Sequence, residues 1–257
     1  MKVCTLASGS KGNSTYVESG DTRILIDAGL SCKVLEGRLK EIKVDPVTIS
    51  GIFLTHEHRD HVRGLDLFPE KYEIQVFSNL LTGQVLRSST RNFSKFDEFE
   101  TGSRVALSSL EVESFPISHD GIDPVGFVVD DGRSRLGIIT DLGYLTKLVL
   151  HRIRDVDTLI IESNHDEWML LHGSYPWHLK QRIKGRYGHL SNEAAADAVV
   201  QVAGGRLSKV VLAHISEENN VPELAFRTVS EHLERKGFSN IRILLAPQHY
   251  VGKMMEF

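Results

Sequence analysis

The chain has 257 residues, a formal net charge of −4, and 41% hydrophobic against 25% charged residues, an ordinary globular composition able to bury a large core. That charge excludes a uniformly basic nucleic-acid coat, though not a local basic channel, and no apolar run approaches the roughly 18 residues of a membrane span. Met1-Lys2-Val3-Cys4-Thr5-Leu6-Ala7 enters a strand-like pattern without a long apolar signal core, and Cys4 and Cys32 form no CxxC or paired framework, so a cytoplasmic, reducing location is expected.

In chain order, Val3–Ala7, Ser14–Glu18 and Arg23–Ile26 read as short strands, broken by the turn compositions Ser8–Asn13 and Ser19-Gly20-Asp21. This is an antiparallel opening. Ser31–Ile42 has helical spacing, and after Asp45-Pro46 the apolar run Ile49–Thr55 reads as a buried strand. Glu73–Ser78 (strand) and Leu80–Ser88 (helix) follow, then a β-rich middle of Val105–Leu107, Leu110–Ile117, Val125–Asp130 and Arg135–Thr140. Thereafter helices are expected at Leu142–His151, Pro176–Lys184, Asn192–Val202 and Pro222–Lys236, alternating with strands at Thr158–Glu162, Lys209–Ala213 and Ile241–Ala246. No linker, repeat or composition break divides the chain, so residues 1–257 are read as one α/β domain with two sheets packed together under outer helices.

His56-Glu57-His58-Arg59-Asp60-His61 places three imidazoles and two carboxylates directly after the strand at Ile49–Thr55. Side chains alternate in an extended segment, so His56 and His58 leave on one side and can grip one metal. If Asp60 and His61 open the next helix, they turn toward a second position about 3.5–4 Å away, as in two-metal hydrolases. Imidazole with carboxylate suits Zn, Mn or Fe better than Ca or Mg. The plainer reading is a His-rich surface loop. Against it stands the repetition of apolar runs ending in His or Asp: Asp27, His119, Asp141 and His214. In α/β architectures such residues can converge outside the carboxyl ends of the strands.

Taken in order, Asp27, His56–His61, His119, Thr140-Asp141 and Ala213-His214 resemble the five-motif signature of the metallo-β-lactamase superfamily. The resemblance implies an αββα four-layer sandwich, two mixed sheets flanked by helices, with two divalent metal ions at one sheet edge. It implies His56, His58 and His119 on one metal, Asp60, His61 and His214 on the other, Asp141 bridging, and Asp27 supporting by hydrogen bonds. A carboxylate at position 141 can bridge two cations around a hydroxide, whereas a cysteine there would point to β-lactam hydrolysis. Phosphodiester hydrolysis therefore ranks first.

Leu6–Ser14, Glu162-Ser163-Asn164-His165-Asp166, Tyr175–Lys180 and Gly188–Glu193 resemble one bacterial branch, the YycJ/WalJ/VicX-like proteins, across essentially the full chain. That branch is similar to DNA exonucleases acting from 5′ to 3′, which implies nucleic acid, DNA above RNA, as partner and no membrane. Gly188-His189-Leu190-Ser191 precedes an expected helix whose N-terminus favours phosphate. His189, Ser191 and Asn192 are the expected phosphate contacts, and His189 is the candidate general acid; Ser191 as a simple N-cap is the alternative. Asp60 and His189 are the expected catalytic pair. The basic run His178–Arg186, with Tyr175, Trp177 and Tyr187, is read either as a guide for the nucleic-acid backbone or as a solvated helix face. His165 and Ser8-Gly9-Ser10 are weaker candidates for the rim. Competing functions are a thioester or small cyclic-phosphodiester hydrolase on the same fold and a non-catalytic metal-binding regulator.

Overall fold

The computed structural model describes residues 1–89 and 93–257. The opening strands β1 (Lys2–Ala7), β2 (Ser14–Ser19) and β3 (Thr22–Ile26) pair antiparallel, after which β4 (Gly51–Phe53), β5 (Gln75–Asn79) and β6 (Phe96–Phe99) add in parallel. The second sheet repeats this change of direction. There β7 (Arg104–Leu107), β8 (Leu110–Pro116), β9 (Val125–Asp130) and β10 (Arg135–Ile139) are antiparallel, and β11 (Thr158–Glu162), β12 (Lys209–Ala213) and β13 (Arg242–Leu245) parallel. The short β14 (Met255–Glu256) returns to pair with β1.

Period-two alternation builds the layers. Ile24 and Ile26 point into the space between the sheets while Leu25 points outward. The inner layer joins Val17, Ile24, Phe53 and Phe77 of one sheet to Phe127, Val129, Ile138 and Ile160 of the other, with Phe53 and Phe77 stacked at 4.5 Å. Over the outer face of the first sheet lie α1 (Cys32–Glu41), α2 (Arg59–Val62), α3 (Phe68–Tyr72) and α4 (Leu80–Ser88), contributing Leu35, Leu39, Val62, Phe68 and Leu86 to a second core. The other face carries α5 (Lys147–Arg152), α6 (Glu167–His172), α7 (Trp177–Lys184), α8 (Asn192–Val202) and α9 (Pro222–Arg235), of which α5, α8 and α9 fill a third core. On α9, Ala225, Val229 and Leu233 are buried at helical spacing. The result is αββα, with two mixed sheets, as expected.

The helix expected over Leu142–His151 is a correction: it begins only at Lys147. Leu142 donates its N–H to Glu162 Oε2 and Gly143 to Ser118 O, so these backbone donors serve tertiary partners. Thr146, whose hydroxyl accepts from Val149 N–H, then caps the helix. The strand expected over Ile49–Thr55 shrinks to Gly51–Phe53, because Pro46–Thr48 forms a 3-10 turn before it. Strand β6, two of whose four residues are acidic, and helix α6, capped by Asp166, carry weak periodicity and were not anticipated.

Candidate active site

Site residues leave the carboxyl ends of strands from both sheets. Asp27 follows β3, His56–His61 follow β4, His119 follows β8, Asp141 follows β10, Glu162 ends β11 and His214 follows β12. Asp27, Asp141 and His214 all have left-handed backbone, φ +63°, +57° and +50°, a conformation that side-chain-bearing residues rarely adopt and that concentrates at functional sites. At each of these three positions the strand ends abruptly.

The rings of His56, His58 and His119 surround a common point, with centroids 4.6, 5.0 and 5.1 Å apart. A second group, Asp60, His61, Asp141 and His214, adjoins it, and within each group the ligand atoms lie within 4.8 Å of one another. Asp141 stands between them: Oδ2 is 3.1 Å from His61 Nε2, while Oδ1 is 3.3 Å from His214 Nε2 and 3.9 Å from His119 Nε2. His58 opens α2 as its N-cap, so Asp60 and His61 turn back on the first helical turn.

A hydrogen-bonded shell orients these imidazoles. Asp27 Oδ2 lies 2.7 Å from His61 Nδ1, and Asp27 Oδ1 accepts the Thr55 N–H at 2.9 Å. Thr55 Oγ1 meets His56 Nδ1 at 3.0 Å, and Gly188 O meets His119 Nδ1 at 3.1 Å. Glu162 Oε1 lies 3.1 Å from His214 Nδ1. The Nδ1 atoms of His56, His61, His119 and His214 are thus held from behind, leaving Nε2 toward the cluster, which is how a ligating histidine is fixed, whereas His58 turns Nδ1 inward, 3.3 Å from His119 Nε2. Buried His56 Nε2 has no hydrogen-bond partner, and the close approaches of His214 Nε2 and Asp141 Oδ2 to their neighbours lack hydrogen-bond geometry. Such orphaned donors and acceptors are costly unless something binds them, and this donor set fits divalent cations.

Burial pushes the His56 imidazole well below its ordinary range, aided by neighbouring His61, so it is neutral, the ligating form. Burial opposes ionisation of Asp141, but His214 and His61 beside it hold its carboxyl well below the usual carboxylate range. Asp60 behaves alike, lowered chiefly by His61 and His214 against the opposing effect of burial.

A model of the beta-lactamase superfamily domain matches residues 22–215. The chain is 39% identical over 240 residues to exodeoxyribonuclease YycJ of Bacillus anthracis, covering 93% of this chain and 91% of that one. The chain belongs to the metallo-β-lactamase superfamily. Exodeoxyribonuclease WalJ of Streptococcus pneumoniae is likewise 39% identical over 240 residues, covering 91% of this chain and 88% of its own. Among solved structures, the metallo-β-lactamase fold protein YhfI of Bacillus subtilis superposes with a TM-score of 0.76 at 15% identity, over 99% of this chain and 98% of its own. The short form of human tRNase Z does so at 0.68 and 16%, over 100% of each; both show the shared fold. Membership in this superfamily and these adjoining clusters of histidines and carboxylates make the chain a divalent-metal-binding hydrolase.

Beside the superfamily's metal edge the structure places a group the sequence did not single out. Glu162 is fully buried; its Oε1 lies 2.6 Å from His189 Nδ1, and its Oε2 accepts N–H bonds from Leu142 and Leu190 at 2.9 and 3.1 Å. His189 in turn lies 3.8 Å from Asp141 Oδ1. Burial works against a charged His189, but the Glu162 carboxylate more than offsets it and raises the imidazole. Asn13 was also missed: its amide reaches His61 Nε2 at 3.0 Å and Asp60 Oδ2 at 3.2 Å. Its signals were the Ser8–Asn13 turn and the Leu6–Ser14 resemblance, and in that turn Ser8 contributes its side chain, accepting the His214 N–H at 2.7 Å.

Ser191 and Asn192, expected as phosphate contacts, make these hydrogen bonds within the fold. Ser191 Oγ accepts the Ala194 N–H as the α8 cap, and Asn192, fully buried, exchanges hydrogen bonds with Ser163 and Asn220. Their polar groups serve the fold. Much of the basic run is spent similarly: Lys180 donates to the carbonyls of Leu171 and Gly173, Arg182 pairs with Asp120, and Lys184 with Glu167. His165 is buried outside the metal-holding groups, and burial pushes its imidazole down to about 4. No helix among the described residues is long and apolar enough to cross a membrane.

Proposed function

We propose that residues 1–257 act as one catalytic domain, a two-metal phosphodiesterase that degrades DNA from the 5′ toward the 3′ end in the cytoplasm. The observation that carries this reading is the buried Asp141 carboxylate, standing between His61 and His119 and flanked by the Glu162–His189 pair, in a chain 39% identical to proteins named exodeoxyribonucleases. His56, His58 and His119 would hold one cation, Asp60, His61 and His214 the other, with Asp141 between them; Zn and Mn suit these donors, and Fe less commonly. Bound there, two divalent cations would raise the acidity of water and neutralise phosphate charge.

The chain's own groups supply the rest. Asp60, kept ionised by its imidazole neighbours, accepts a hydrogen bond from the attacking water and orients it. His189, with Nδ1 held by Glu162, has Nε2 left to deliver a proton to the leaving oxygen. Position 141 carries Asp rather than Cys, which favours phosphorus over a β-lactam carbonyl.

The test is turnover by Mn- and Zn-loaded protein on end-labelled single- and double-stranded DNA and RNA, with Asp60→Asn and His189→Ala alongside. Mononucleotides released progressively from the 5′ end are expected. Absence of cleavage by folded protein carrying both metals overturns the reading. An unchanged rate for His189→Ala would remove its acid role and leave the metal assignment standing.

A further inference from the structure

Three segments meet at the mouth of the site. Gly143 donates its N–H to Ser118 O at 2.9 Å, Ser118 and Tyr144 form an isolated antiparallel bridge, and Gly188 O faces His119 Nδ1 at 3.1 Å. Gly143 lies so close to Arg186–Gly188 that a Cβ there would stand 2.5 Å from both Arg186 O and Gly188 N. The stretches next to His119, Asp141 and His189 are therefore tied into one piece.

From that piece two aromatic side chains face solvent: Tyr144 is 50% exposed and Tyr187 is 60% exposed. The Arg186 guanidinium lies over the Tyr144 ring, 4.9 Å from its centroid. Arg186 makes no carboxylate pair among the described residues, unlike Arg182 and Lys184 of the same run. Tyr144 is three residues from Asp141 and Tyr187 two from His189, so their Cα atoms are within about 11 Å and about 8 Å of those residues along the chain.

We propose that Tyr144, Arg186 and Tyr187 form a stacking platform for the unpaired bases of single-stranded DNA beside the reacting phosphate. The proposal rests on the nuclease reading above. Exposed π-faces accept any base, and an unpaired guanidinium stacks on bases and meets phosphate, the combination used for sequence-tolerant strand binding. Because the platform's backbone is already fixed, ordering it on binding costs little. A paired duplex keeps its base faces stacked internally, so the platform selects a frayed or single-stranded end. It also assigns to three residues the substrate guidance that the basic helix face, largely self-paired, does not provide.

The test compares Mn-loaded wild type with Tyr144→Ala, Tyr187→Ala and Arg186→Ala, and with Tyr144→Phe and Tyr187→Phe. Single-stranded homopolymer DNA and bis(p-nitrophenyl) phosphate, a diester without bases, serve as substrates. The ratio of kcat/KM for DNA to that for the small diester is expected to fall about tenfold or more in the alanine variants, chiefly through KM, and to recover in the phenylalanine variants. If wild type digests DNA while the alanine variants keep this ratio within about twofold, the platform is overturned and the nuclease reading stands. If wild type hydrolyses the small diester and leaves DNA intact, the nuclease reading falls and takes the platform with it.

Discussion

Glu162 Oε1 lies 2.6 Å from His189 Nδ1, in a position where the carboxylate has no exposure to water. The same carboxylate holds Leu142 N–H, Leu190 N–H and His214 Nδ1, so one buried group orients the proposed acid and a proposed metal ligand together. A neutral amide would retain the shape but lose the charge. Glu162→Gln should therefore lower kcat by about 10²–10⁴-fold with a smaller change in KM. The pH profile carries a second signature. Glu162 raises His189 against burial, so without the charge the imidazole loses its proton at lower pH, and the alkaline limb of kcat should move to lower pH. Stopped assays across pH with the two proteins check this; an alkaline limb moving upward, or not at all, would contradict it.

Among the described residues, Asp27 reaches the metal groups through His61 Nδ1 and Thr55. Its replacement by Asn keeps the size but weakens the bond that fixes the ring. Loss of such a partner costs about 10–100-fold in metal affinity, so Asp27→Asn should need correspondingly more metal for half-maximal occupancy in a chelator competition. Thermal unfolding gives an independent readout. Metal at 100-fold over its Kd should stabilise wild type by about 2.7 kcal/mol, and chelation should abolish the gain.

Gly29 lets two functional turns touch. Its N–H donates to Asn13 O at 2.8 Å, and a Cβ there would stand 1.6 Å from Asp60 O. Gly29→Ala must displace the α2 entrance, costing about 1–3 kcal/mol, or about 2–4 °C in Tm per kcal/mol at this chain length. Because Asp60 moves with it, metal affinity should fall in the same variant. A wild-type Tm, or a lower Tm with wild-type affinity, would show that the contact relaxes elsewhere.

Cys32 should be a sluggish nucleophile. Burial, then hydrogen bonding to Glu36 and its charge, push the thiol up to about 11, so near pH 8 only about one part in a thousand is thiolate. Alkylation by iodoacetamide, followed by mass spectrometry of the native protein, should accelerate about tenfold per pH unit between pH 7 and 9. Glu36→Gln removes the opposing carboxylate, lowers the thiol pKa and should speed the reaction at pH 8. Cys4, fully buried, should stay protected in both proteins.

What the sequence determined by itself was the set of metal-type donors and the layers that carry them. Asp27, His56–His61, His119, Asp141 and His214 each stand at the end of an apolar run, and an apolar run with period-two alternation specifies a strand locally, without reference to the rest of the chain. Tertiary structure alone decided which neighbours those donors have. Glu162 is the last residue of a buried strand and Asn13 part of a glycine-rich turn, and no local pattern says that one faces His189 and His214 and the other His61. The same holds for the partners of other polar groups. Leu142 and Gly143 carry helical spacing, but their N–H groups are taken by Glu162 and Ser118, distant in sequence; Ser191 and Asn192, at a helix start suited to phosphate, bond inward to Ala194, Ser163 and Asn220. Patterning is short-ranged and legible residue by residue, whereas hydrogen-bond partners across separate strand ends exist only once two sheets have packed and brought those ends to one rim.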